Sequence, residues 1–173
     1  MGMQINASQT AGLIAFVPAA LATFGVFLRE GCSARRKRST WAVIATIYAL
    51  LSVEMLVDER WRIKGAIDQW LKSSSLYADR RPVQVASLIL LAIIAALALG
   101  RLIRAGNDRV RIARLATAAL VAVFMVEAVS LHAVDAILFR QVGPVMLIAL
   151  LWIACGWTTT FAALGRLPKV RRR

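Results

Sequence analysis

Five long apolar runs, separated by short segments rich in arginine, constrain this chain more than any motif in it. They cover residues 11–28, 40–57, 83–100, 115–139 and 143–164. A helix of about 20 apolar residues crosses a hydrocarbon core of roughly 30 Å. In lipid every backbone polar group must be satisfied internally, which leaves the helix as the spanning form for such segments. The expectation is therefore an all-α integral membrane protein, a single polytopic domain over 1–173 with five transmembrane helices. Composition agrees. Hydrophobic residues make up 60% of the chain and mean hydropathy is +0.68, whereas soluble domains hold about 45–50% apolar residues.

The charge is distributed so as to orient those helices. The chain carries 22 Lys and Arg against 9 Asp and Glu, a net +13. In a soluble domain that excess would suggest nucleic acid. Here the bases lie between apolar runs and no loop is long enough to fold a nucleic-acid domain, so the bilayer, and no nucleic acid, is the expected partner. Segments 29–39, 101–114 and 165–173 hold five Lys or Arg each, while 58–82 and 140–142 together hold seven. Cytoplasmic loops carry the excess of Lys and Arg, which predicts N-out, C-in. The opening MGMQINASQT has no positive charge, unlike the basic start of a signal peptide, so the first helix is expected to remain uncleaved. The expected location is the bacterial inner membrane, multi-pass.

The long outer loop, 58–82, reads DERWRIKGAIDQWLKSSSLYADRRP. Ile63, Ile67, Trp70 and Leu71 follow helical spacing, and charges occupy most of the remaining positions. A short amphipathic helix on the outer surface follows, with Trp61 and Trp70 at headgroup depth. In the spans, Ala11, Ala15 and Ala19 recur every fourth residue, as do Ala92, Ala96 and Gly100. Small residues at that interval let helices approach closely in lipid. Pro18 removes one backbone bond of the first span and is expected to kink it.

One apolar run contains what lipid disfavours. In VEAVSLHAVD, residues 126–135, stand Glu127, the single histidine His132, and Asp135. A charge at the centre of a membrane helix costs roughly 2.5–3.5 kcal/mol on insertion scales. At 100° per residue Asp135 lies about 80° and His132 about 140° around the helix from Glu127. One broad face is then polar and must point into the bundle or at water. Glu54 near the outer end of the second span, and Arg80 and Arg81 before the third, lie at matching depth. Arginine pairs with carboxylate through its fork. Together Glu54, Glu127, His132, Asp135, Arg80 and Arg81 form one candidate polar cluster open to the outside, for an ion, a proton or a ligand.

Three roles fit such a cluster. It can hold the bundle together, as interhelical polar contacts do, in an accessory or assembly subunit of a larger membrane complex, or a homo-oligomer. It can carry protons or ions, which makes the chain a small coupled transporter. It can act on a lipid or polyprenyl substrate, with the carboxylates or His132 as acid and base and Arg80 and Arg81 on a phosphate. The first is the leading expectation, and an enzyme is disfavoured because no complete catalytic set stands out. Glu127, His132 and Asp135 are legal zinc ligands, but their spacing is no established ligand pattern, and no metal is assigned. The five residues AVSLH (128–132) resemble the A-x-x-x-H spacing of bacteriochlorophyll-binding histidines in light-harvesting helices, which would imply a pigment at His132. Five residues of an alanine-rich helix carry no family assignment, and the cofactor is left unknown. Cys32 and Cys155 have no paired spacing. Thr158, Thr159 and Thr160 are expected to bond the preceding turn or neighbouring helices, and Trp152 and Trp157 to pack.

Overall fold

A long apolar segment in lipid gains most by closing its own backbone bonds, and the computed structural model of the chain is built that way. The structure describes residues 7–30, 35–57, 108–129 and 136–165, with Gly65, Ala66, Gln69, Ala86, Ile89, Leu90 and Ile93 as isolated positions. Among these are four long helices: α1 (Ala7–Arg29), α2 (Arg35–Val57), α3 (Asp108–Val129) and α4 (Leu147–Leu164). Residues 7–29, 37–57 and 147–164 are long and apolar enough to cross a membrane. The isolated residues at 65, 66 and 69 are helical, within the expected surface helix. Those at 86, 89, 90 and 93 are also helical, within the expected third span, and exposed. The rest of both segments lies outside the described residues, including Ala92, Ala96 and Gly100.

The helices extend past the apolar runs at one end. α2 begins at Arg35 and α3 at Asp108, so Lys37 and Arg38, and Arg109, Arg111 and Arg114, sit on helix rather than in connecting loops. Apolarity sets the depth that lipid covers; backbone bonding sets where the helix starts. α1 runs without interruption through Pro18.

The start of the fifth span requires a correction. Gly143–Met146 was expected to be helical. Instead Gln141–Val142 (β1) pairs antiparallel with Val145–Met146 (β2). Gly143 turns the chain at φ 65°, a left-handed conformation that glycine adopts without a Cβ penalty. Pro144 follows it and has no N–H to donate. Leu147 N donates to Arg140 O at 2.9 Å and closes the ribbon, after which α4 begins.

The packing follows from small residues. α1 lies along both α2 and α4, α4 also packs against α3, and α2 meets α3 only lightly. Ala11, Ala15 and Ala19 are buried, as their spacing predicts. A Cβ added at Gly156 of α4 would lie 2.5 Å from the Ala15 carbonyl oxygen, so α1 and α4 touch backbone to backbone there. Around this contact four rings fill the centre. Phe16 lies 6.0 Å, centroid to centroid, from each of Tyr48, Phe124 and Trp152, and Phe124 stacks on Trp152 at 5.4 Å. The outward apolar residues of α1 and α2, such as Leu21, Leu28 and Leu50, are exposed, as suits helices whose solvent is lipid.

Candidate functional site

Three contacts between helices fix which ends lie together. The Arg38 guanidinium of α2 sits over the Phe27 ring of α1, 4.8 Å from its centroid. Arg114 Nη2 of α3 donates to Thr40 Oγ1 of α2 at 2.7 Å. The Arg109 guanidinium packs against Gly165, which ends α4 at φ 71° with its N–H on Ala162 O. A cation at a helix C-terminus is favoured by the helix dipole. Thus the end of α1, the starts of α2 and α3 and the end of α4 share one end of the bundle, and the described basic residues Arg29, Lys37, Arg38, Arg109 and Arg114 lie towards it.

Two carboxylates, Glu54 and Glu127, lie towards the opposite end, while Glu30 and Asp108 are at the basic one. Gly12 near the start of α1 faces Met55 near the end of α2, which puts Glu54 at that level. Phe124 stacks on Trp152, which puts Glu127, one turn further along α3, towards the same end. Glu127 is buried at 6% exposure and Glu54 is half-buried, and both interact with other groups. So the two carboxylates share one half of the bundle, Glu127 buried and Glu54 half-buried. His132, Asp135, Arg80 and Arg81, and the interfacial Trp61, Ile63, Ile67 and Trp70, lie outside the described residues. Among the described residues no group of three His, Cys, Asp or Glu is placed to hold a metal.

Midway between the ends lies a hydroxyl cluster that sequence reasoning missed. The Tyr48 hydroxyl is 2.8 Å from Thr159 Oγ1 and donates to the Cys155 carbonyl at 3.2 Å. One phenol therefore ties α2 to α4, while its ring packs on Phe16 of α1. A tyrosine inside TWAVIATIYALLSV was a visible signal, since a buried phenol usually finds a partner; the partner's identity was not. Thr160 Oγ1 bonds Gly156 O, Thr117 Oγ1 bonds Ala113 O and Thr23 Oγ1 bonds Ala19 O. Each hydroxyl is satisfied by the preceding turn of its own helix. The threonines at 159 and 160 thus divide between the two roles expected of them, and Trp152 packs in the core.

These elements define a class, a helical bundle with three helices long and apolar enough to cross a membrane and arginines gathered towards one end among the described residues. Comparison with family models, with curated proteins and with solved structures finds no match.

Proposed function

We propose that this chain is an accessory or assembly subunit of a larger membrane complex. In this reading it spans a bacterial inner membrane five times, N-out and C-in, with the basic end in the cytoplasm and the Glu54–Glu127 half towards the outside. The observation that carries the reading is the filled centre of the bundle. Phe16, Tyr48, Phe124 and Trp152 close it, and the Tyr48 and Thr159 hydroxyls beside them are bonded to one another. A bundle sealed at mid-height is suited to holding shape and presenting surfaces, not to conducting along its own axis. The outer polar cluster of Glu54, Glu127, His132, Asp135, Arg80 and Arg81 then serves as interhelical glue or as the contact with a partner. The test is purification in mild detergent with mass spectrometry, paired with deletion of the chain. A defined larger membrane complex should co-purify, and its abundance should fall when the chain is absent. A lone homo-oligomer, with no complex affected by deletion, would overturn the proposal.

A second reading, a small proton- or ion-coupled transporter, is favoured by one observation, the burial of Glu127. A buried carboxylate in a span marks proton and ion paths elsewhere. It requires pH-dependent flux in reconstituted vesicles that Glu127→Gln abolishes.

A further inference from the structure

We infer that the corner where α1 ends and α2 begins is a seat for the phosphate of an anionic phospholipid, with Arg38 as its principal ligand. Arg38 is held by its cation–π contact with Phe27, yet its Nε is buried and has no hydrogen-bond acceptor among the described residues. Buried donors in native proteins are nearly always paired. A guanidinium fixed in place with an unspent N–H is suited to an anion, and phosphate matches its fork.

The surroundings select the anion. Arg29 and Lys37 flank the corner and are exposed. Two acids, Glu30 and Asp108, lie at this end, against Arg29, Lys37, Arg38, Arg109 and Arg114 among the described residues. The amino end of α2 opens at the same place, adding the positive pole of its dipole. On the side of α1 away from its amino end, Phe24 stacks on Phe27 at 5.8 Å, and Phe24 and Leu28 are exposed. Val43 on α2, also exposed, lies just past the basic turn. Cations at the mouth and apolar side chains along the adjoining helices suit an amphiphile, with its phosphate at the helix ends and its acyl chains along α1 and α2. A nucleic acid or a soluble acidic protein would leave the apolar half of this arrangement unused. Basic clusters at helix ends are where anionic headgroups bind. The inference rests on α1 and α2 crossing a bilayer and on no particular partner complex.

The experiment is native mass spectrometry and thermal unfolding of the whole purified chain with added phosphatidylglycerol, with phosphatidylcholine, or with inorganic phosphate. Phosphatidylglycerol should bind and raise the unfolding temperature, and phosphatidylcholine should do neither. Arg38→Gln should weaken phosphatidylglycerol about fivefold or more. Arg140→Gln, an exposed arginine at the opposite end, should leave it unchanged. Arg38→Lys, which keeps the charge and loses the fork, should fall between and guards against a folding defect in Arg38→Gln. Equal binding of the two lipids, equal loss in the Arg38 and Arg140 variants, or full displacement by millimolar inorganic phosphate would each overturn the assignment. Failure to require detergent or lipid at all would instead strike the membrane reading beneath it.

Discussion

The hydroxyl of Tyr48 lies 2.8 Å from Thr159 Oγ1, joining two helices 111 positions apart in sequence. It also reaches the Cys155 carbonyl, so both hydroxyl partners sit in the apolar centre, where water is not available to replace them. Tyr48→Phe keeps the ring packing on Phe16 and removes the bond. Stability in bicelles or detergent should drop by about 0.5–1.5 kcal/mol, the range of interhelical hydrogen bonds in membranes. Thr159→Val should cost a similar amount. The double variant should cost less than the two single losses together, which a double-mutant cycle on denaturant unfolding measures. Full additivity would mean that the pair does not couple.

Two glycines should respond differently to the same methyl group. At Gly156 the added Cβ meets the Ala15 backbone, which cannot move without shifting α1, whereas at Gly12 it meets first the Met55 thioether. Methionine is unbranched and adapts. Gly156→Ala should destabilise by about 1–3 kcal/mol, as overpacking does, and Gly12→Ala by clearly less. Unfolding temperatures of the two variants, side by side, decide it.

The gathering of Arg29, Lys37, Arg38 and Arg109 at one end makes a topological prediction. Single cysteines introduced at Arg29, Lys37 and Arg109 should react with a membrane-impermeant maleimide only from the cytoplasmic side. One at Arg140 should react only from the outside. A cytoplasm-dependent reporter fused after Arg173 should be active. Labelling of the first three positions from opposite sides would contradict the bundle described here, whatever its orientation.

Glu127 separates glue from function. Glu127→Gln retains hydrogen bonding, so expression and unfolding temperature should stay near wild type, and complex abundance should be preserved if the cluster is structural. Glu127→Leu removes the partner of whatever group Glu127 engages, which leaves a polar atom unsatisfied at about 1–3 kcal/mol. Normal folding of Glu127→Gln with loss of pH-dependent flux would favour the transporter.

The helical fold, the helices long and apolar enough to cross a membrane and the placing of Arg29, Lys37, Arg38 and Arg109 towards one end were legible because each follows from local pattern. An apolar run of sufficient length has one stable form in lipid, and clustered arginine resists burial wherever the chain runs. The spacing of Ala11, Ala15 and Ala19 likewise marked the face of α1 that meets α4, since close approach depends on side-chain size alone. What only the tertiary structure decided are relationships between distant positions. These include the Tyr48–Thr159 bond, the ring cluster around Phe16, the reach of Arg114 to Thr40, and Arg38 pinned on Phe27. Nothing local distinguishes these residues from others of their type. Their roles arise when helix register brings them level, and register is set by summed packing over whole helix faces. The ribbon at 141–146 was missed for a related reason. Gly143 and Pro144 were counted within an apolar run, but the positive φ at one and the missing donor at the other postpone the helix to Leu147.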